Sequence, residues 1–141
     1  MDVTAYDFET LRLGDRASSG KTMTETDILL FAAASADTNP LHINAEFAER
    51  SIFKGRVAQG MLTSALISSV IGTRMPGPGT ILLSQHLRYR APVRIGETVV
   101  ATVEVTGLDP QKRRATLRAT CEVKGKIVIE GEVVVIPPSR E

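Results

Sequence analysis

The sequence contains one cysteine, no tryptophan and no long apolar run, and these absences narrow what the protein can be. With Cys121 alone no intrachain disulfide can form, which favours a reducing, cytoplasmic compartment. No apolar stretch approaches the ~20 residues that span a bilayer, and the acidic, polar N-terminus does not resemble a signal peptide. Two histidines and no Cys-x-x-Cys are too few ligands for a zinc site, so no metal is expected.

Charge is nearly balanced along the chain. Seventeen basic residues against 16 acidic ones give a net charge of +1, which argues against a nucleic-acid partner held by bulk charge. The 141 residues predict one domain, 1–141, with a core at about 8–136. A domain of this size buries roughly 68–70% of its unfolded surface, so it needs no disulfide or metal to fold.

The first half of the chain predicts two main helices. Thr24 and Asp27 have the spacing of a capping box at the start of the first helix, and Pro40 ends it. The second helix is expected over 60–71, with Gly72 as its stop. It has no charge and is apolar on nearly every side, which is typical of a buried helix.

The second half changes to strand patterning, rich in β-branched residues and divided by turn residues. Strands are predicted at 81–90, 98–108, 115–124 and 127–136, with an edge segment at 8–22 and a short helix at 45–50. Because short turns join the last three strands, they are expected to form an antiparallel meander. The fold class is therefore α+β, with a buried helix packed against an antiparallel sheet.

Asp37 and His42 are the most informative pair of residues. A carboxylate and an imidazole five residues apart, on a turn stiffened by Asn39-Pro40, can act as a general acid–base pair. Asp37 is expected near the end of the first helix and His42 on the following loop, so the turn must bring them together. The alternative is ordinary turn chemistry, in which Asp37 only caps the turn.

Three segments resemble the MaoC-like (R)-specific enoyl-CoA hydratases, above all the short hydratases of polyhydroxyalkanoate synthesis. They are the Asp-x-Asn-Pro-x-His motif at 37–42, the Gly-Met-Leu helix start at 60–62, and Tyr-Arg-Ala-Pro-Val at 89–93. The resemblance covers roughly 8–136. It implies a single hot-dog domain, in which an antiparallel sheet wraps around a central helix, and a homodimer that acts on acyl-CoA without a separate cofactor.

The resemblance also implies roles for single residues. Asp37 and His42 would be the catalytic pair, and Gly60 would offer its backbone N–H to the thioester oxygen. Ser68 would lie near the active site, although a serine bonded back to its own helix is an equal alternative. Gly60 has the alternative of a plain helix start.

One position departs from the family pattern. The family usually has histidine before the glycine, and here Gln59 stands in its place, which hydrogen-bonds but does not titrate. The change bears on the oxyanion site and on substrate preference. Asn39 is a further candidate for substrate binding. Val70 and Ile71 are candidates for the floor of the acyl pocket, with plain core packing as the alternative.

The remaining polar candidates are less specific. Five basic residues could meet the phosphates of coenzyme A or simply form a solvated face. They are Lys54, Arg56, Arg88, Arg90 and Arg94. His86, in a predicted strand without acidic neighbours, is expected to be structural or on the surface, and Cys121 to be a core residue.

The predicted function is (R)-specific hydration of short- to medium-chain trans-2-enoyl-CoA. Two other functions stay open. A hot-dog acyl-CoA thioesterase would use a carboxylate differently and would not need the Asp-x-Asn-Pro-x-His arrangement. A non-catalytic acyl-CoA-binding module would be expected to lack Asp37 or His42, or to carry an added DNA-binding segment.

Overall fold

Five strands and four helices make up the described part of the chain, which is residues 5–139 of a computed structural model. In chain order they are β1 (Arg16–Thr22), α1 (Glu25–Ser35), α2 (Pro40–Ile43), α3 (Ala45–Glu49), α4 (Gly60–Thr73), β2 (Ile81–Tyr89), β3 (Thr98–Asp109), β4 (Arg114–Val123) and β5 (Lys126–Ile136). Residues 1–4, on which the expectation about a signal peptide partly rests, and 140–141 lie outside this range. Within it, no helix has both the length and the apolarity to cross a membrane.

The strands form one antiparallel sheet in the order β1-β3-β4-β5-β2. The predicted meander is β3-β4-β5, and every strand end in the second half lies within one residue of its predicted position. The edge segment expected at 8–22 contributes β1, which pairs with β3. The second edge is β2, which pairs with β5. The predicted α+β class is confirmed.

The core lies between the sheet and α4, which packs against β1, β3 and β4. Alternate residues of β3 and β4 are buried, as a half-covered sheet requires. Ile67 and Val70 of α4 pack in the same cluster. Cys121 of β4 is buried there, with its sulfur 3.8 Å from the Thr63 carbonyl oxygen, and burial raises its thiol pKa to about 12. The thiol is therefore protonated and part of the core, as predicted.

The expectation that α4 is buried on every side is wrong for the single chain. Met61 is 59% exposed, and Ala65 and Ser68 are exposed with it. Steps of four and three residues place these side chains on one face of the helix, and the sheet covers the opposite face. The predicted stop at Gly72 is also wrong, since the helix continues to Thr73.

Helix α1 leads directly into the Asp37–His42 segment and positions it. Its start is the predicted capping box, because the Asp27 N–H donates to the Thr24 hydroxyl at 3.1 Å and the Thr24 N–H to the Asp27 carboxylate at 2.9 Å. It ends at Ser35, before Pro40 is reached, because the φ of 62° at the next residue, Ala36, turns the chain out of the helix. His42 then lies in the short helix α2 and not in the predicted loop, because Asn39-Pro40 begins a new helical turn.

Candidate active site

A cavity of about 290 Å³ opens between α2, the N-terminus of α4 and the end of β2. Most of its lining is apolar. The side chains and backbone that give it chemical character come from His42, Gly60, Thr63, Tyr89 and Arg90. The volume is close to the lower limit of about 300 Å³ for small-molecule sites. Two of the predicted site residues, His42 and Gly60, therefore meet in one pocket.

His42 is held by its ring. It is 9% exposed, and its Nδ1 lies 2.8 Å from the carbonyl oxygen of Val57. A carbonyl oxygen only accepts hydrogen bonds, so Nδ1 must carry a hydrogen. In the neutral ring, Nε2 is then the nitrogen with the free lone pair. The Val57 carbonyl thus fixes the tautomer and leaves Nε2 to accept a proton.

Asp37 lies on the turn between α1 and α2, half-buried. Its carboxylate accepts the Asn39 N–H at 3.2 Å, and its own N–H donates to the Ser35 hydroxyl at 3.1 Å. Asp37 does not line the cavity that His42 lines. The hydrogen bond from Asn39 uses only one of the acceptor sites of the carboxylate. Asp37 can therefore cap the turn and still accept further hydrogen bonds.

Gly60 is the first residue of α4. Its helix has no side-chain cap among residues 5–139, so the first N–H groups are unpaired and carry the positive end of the helix dipole. A Cβ at this position would come within 3.0 Å of the Tyr89 ring. The absence of a side chain at residue 60 therefore allows the Tyr89 ring to pack closely against the backbone at the opening of the cavity. The arrangement can accept developing negative charge on a bound oxygen.

Gln59 precedes this glycine and is 1% exposed. Its Nε2 donates to the Ile28 carbonyl oxygen of α1 at 3.0 Å, and its Oε1 has no hydrogen-bond partner within the described residues. The amide cannot be reversed, because Oε1 would then face another carbonyl oxygen. Gln59 thus ties the start of α4 to α1 and does not line the cavity.

The family model for the MaoC like domain matches residues 14–135. The chain belongs to the MaoC-like family. It is 53% identical to an (R)-specific enoyl-CoA hydratase of Rhodospirillum rubrum, over 99% of this chain and 96% of that one. It is 45% identical to a 3-hydroxybutyryl-CoA dehydratase of Methylorubrum extorquens, over 95% and 85%.

Solved structures give the same family and fold. The R-hydratase PhaJ1 from Pseudomonas aeruginosa, in its unliganded form, superposes with a TM-score of 0.91 at 39% identity, over 98% of this chain and 89% of that one. The predicted hot-dog fold is thereby confirmed for this MaoC-like chain.

Other predicted site residues lie away from the cavity of this MaoC-like domain. Ser68 is exposed on α4, and Val70 and Ile71 are buried in the core beside the sheet. None of the three lines the cavity, and for Val70 and Ile71 the core-packing alternative matches their positions. Asn39 is exposed, and its side chain caps α2 by accepting the Leu41 N–H at 3.0 Å.

The five basic candidates divide by their contacts. Arg56 and Arg94 hydrogen-bond to backbone carbonyl oxygens of the protein. Arg90 lines the cavity and lies 3.6 Å from the Glu130 carboxylate, half in solvent, so it is the best placed to meet a charged part of a substrate. The other two, like His86, are exposed. Residues 5–139 contain no cluster of three side chains that could ligate a metal.

Sequence reasoning gave no site role to two residues of the pocket that carry a hydroxyl group. Thr63 and Tyr89 line it, and the Tyr89 hydroxyl lies 3.3 Å from that of Ser64 on α4. Tyr89 belongs to the 89–93 segment that carries the family resemblance, and this was the available signal. Thr63 has no comparable signal, because it is one polar residue within the apolar helix α4.

Proposed function

We propose that this MaoC-like protein catalyses the (R)-specific hydration of trans-2-enoyl-CoA to (R)-3-hydroxyacyl-CoA. The observation that carries the proposal is the shared cavity of His42 and Gly60. It places a buried imidazole with a fixed tautomer beside the unpaired N–H groups of a helix start. Relatives named as hydratase and dehydratase cover nearly the whole chain, and these names describe the two directions of one reaction.

The reaction divides its tasks between three groups. Nε2 of His42 holds a water in the cavity and takes up its proton as the hydroxyl adds to C3, and the carboxylate of Asp37, on the preceding turn and outside the cavity lining, is the second group of the acid–base pair. The N–H at Gly60 binds the thioester oxygen, on which enolate charge develops. A proton returned by the acid–base pair to C2 completes the addition of water, so no electrons are exchanged and the step needs no redox cofactor. Hydrogen-bond donors at Gly60 also serve in place of a metal as the electrophile.

The substrate class follows from the pocket and the relatives. An apolar cavity of about 290 Å³ suits a short to medium acyl chain, with the coenzyme A portion leading outward past Arg90. Supply of (R)-3-hydroxyacyl-CoA for polyhydroxyalkanoate synthesis in the cytoplasm is the role we propose. One structural neighbour, the (R)-hydratase from Aeromonas caviae, is involved in polyhydroxyalkanoate biosynthesis.

The two rival functions predict other behaviour. A thioesterase would release free coenzyme A, and a binding module would leave the substrate unchanged. The presence of Gln59 where the family usually has histidine is the one departure that favours the binding module, but Gln59 hydrogen-bonds to Ile28 outside the cavity and leaves His42 and Gly60 in place. The observations therefore favour hydration.

The decisive assay follows crotonyl-CoA. We expect the purified protein to remove the enoyl absorbance and form 3-hydroxybutyryl-CoA of the (R) configuration by chiral analysis. A thiol reagent present in parallel should detect no release of coenzyme A. Release of thiol would support the thioesterase instead, and an unchanged substrate at several acyl chain lengths would contradict both enzyme functions.

We also propose that two copies of the chain pair. The support is the unpaired edge of β2, on which Ile81, Leu82 and Leu83 are 55%, 47% and 41% exposed. A long apolar edge strand is an unusual feature for a monomer to leave uncovered. The exposed apolar face of α4 is a second surface that a partner would cover.

Pairing predicts that the wild-type protein has twice the 15.2 kDa mass of one chain in solution. Leu82→Glu places a charge on the β2 edge and should convert it to a monomer, as measured by light scattering after gel filtration. Leu13→Glu, at a residue that is 65% exposed before β1, is the matched control and should stay dimeric. A wild-type monomer would contradict the proposal.

A further inference from the structure

Arg56 hydrogen-bonds to the segment that contains His42. Its Nε donates to the backbone carbonyl oxygen of His42 at 2.7 Å. Its two terminal nitrogens donate to the two carboxylate oxygens of Glu25 at 2.8 and 2.9 Å. The Arg56 side chain is only 18% exposed. Its charge is thus neutralised within the protein, which is unfavourable for a phosphate ligand.

The neighbouring residue holds the other side of the same histidine. Val57 accepts the His42 ring hydrogen through its carbonyl oxygen, and its N–H donates to the Leu41 carbonyl oxygen at 3.4 Å. Two consecutive residues, 56 and 57, therefore fix both the backbone and the ring of His42.

The contact from Arg56 has a physical reason. Helix α2 has four residues, so its last carbonyl groups lack partners within the helix. The His42 carbonyl is one of these, and a guanidinium at a helix C-terminus is favoured by the helix dipole. Glu25 in turn lies in the first turn of α1, where a carboxylate is favoured. The fork between Arg56 and Glu25 is bidentate, which fixes the guanidinium plane.

A second arginine steadies the loop from which Arg56 projects. Arg94 lies on the connection between β2 and β3 and donates to the Phe53 carbonyl oxygen at 2.5 Å and to the Arg56 carbonyl oxygen at 3.4 Å. Its backbone N–H donates to Glu97 at 2.7 Å. Arg94 therefore links the loop at 53–56 to the connection between β2 and β3. Because Arg56 of this loop contacts His42, the position of the loop affects the position of His42.

We infer that Arg56, anchored by Glu25, is a positioning residue that sets the orientation of His42 in the cavity, and that it is not a ligand of the coenzyme A phosphates. The inference rests on the proposed function, because it assigns a role toward the catalytic imidazole.

The kinetic test compares Arg56→Gln and Arg56→Lys with the wild type, on crotonyl-CoA and on crotonyl-pantetheine, which lacks the nucleotide phosphates. We expect kcat to fall about 10- to 100-fold through misplacement of the base, while KM stays within about threefold. The loss should be the same on both substrates. Glu25→Gln should lower kcat less and add little to the loss in the double variant, since both act through one contact.

A matched control uses a different arginine–glutamate pair, one that lies outside the cavity. Arg113, near the β3–β4 turn, pairs with Glu9 and lies over the Phe8 ring at 5.2 Å from its centroid. Arg113→Gln breaks an ion pair of the same kind and should leave kcat unchanged. A rise in KM confined to crotonyl-CoA would assign Arg56 to phosphate binding, and a lower melting temperature with unchanged kcat would make it merely structural. Either result overturns the inference.

A second measurement does not depend on activity. The chain has two histidines, so ¹⁵N signals of the His42 ring can be assigned with a His42→Asn variant. We expect the Nδ1–H tautomer in the wild type and in Arg56→Gln a shift toward a tautomer mixture, with Arg113→Gln unchanged. A wild type inactive on every thioester would overturn the proposed function alone. Unchanged ring signals in Arg56→Gln would overturn the positioning role.

Discussion

His42→Asn is expected to lower kcat for hydration of crotonyl-CoA by about 10³- to 10⁴-fold, at the upper end of what a general acid–base residue contributes. The asparagine amide nitrogen can occupy the place of Nδ1 and donate to the Val57 carbonyl oxygen, which His42 contacts at 2.8 Å. The substitution therefore removes Nε2 and keeps the buried hydrogen bond. Stopped assays at high enzyme concentration would measure the residual rate.

His42→Ala is the matched companion to this variant. It removes Nε2 and also leaves the Val57 carbonyl oxygen buried without its partner, which costs about 1–3 kcal/mol. Both variants should be equally inactive, but only His42→Ala should lose stability in urea unfolding. If His42→Asn kept more than about a tenth of the wild-type rate, the imidazole would not be the acid–base group.

The four strands of the second half could be predicted almost to the residue because their signals are local, whereas the edge segment predicted at 8–22 forms a strand only over Arg16–Thr22. Alternating β-branched residues set each strand, and turns such as Lys124-Gly125 set each boundary. The pairing of β1 with β3 could not be predicted, since the chain between them contains four helices and a further strand. The exposed face of α4 was missed for a related reason. Periodicity reports that a helix is apolar, but not which of its faces this chain covers itself.

In the candidate site, too, only the features with a local sequence signal could be predicted. The Asp37–His42 motif and Gly60 were found because each lies in a short, distinctive segment. The Val57 carbonyl that fixes the His42 tautomer could not be found, since a backbone group has no sequence signal. Arg56 had a signal as a basic residue, but its partner Glu25 is 31 positions away, and only the fold brings the two together.

Gln59, where the family usually has histidine, has a structural role between α1 and α4. Its hydrogen bond to the Ile28 carbonyl oxygen at 3.0 Å needs only an N–H donor, which either side chain supplies. Glutamine supplies it without titrating, so the link between α1 and α4 does not depend on protonation.

Asp37→Asn should reduce kcat by about 10²- to 10⁴-fold, because the amide cannot take a proton from water. Asparagine keeps an oxygen to accept the Asn39 N–H, which Asp37 accepts at 3.2 Å, so the turn before α2 should keep its shape. If Asp37 only capped the turn, this nearly isosteric change would cost little activity. The variant therefore separates the catalytic from the capping role, with kcat on crotonyl-CoA as the measurement.

Asp109→Asn is the control that makes this separation sharp. Its carboxylate accepts the N–H two residues later, from Gln111 at 3.0 Å, in the turn after β3. It repeats the local bond of Asp37 in a segment that contributes no residue to the cavity, and it should leave kcat unchanged. Equal activity of the two variants would refute the catalytic role of Asp37 and leave His42 to act alone. Circular dichroism would check that both variants are folded. If kcat then falls only in Asp37→Asn, the Asp37 carboxylate must act on the substrate water, in addition to its place in the turn before His42.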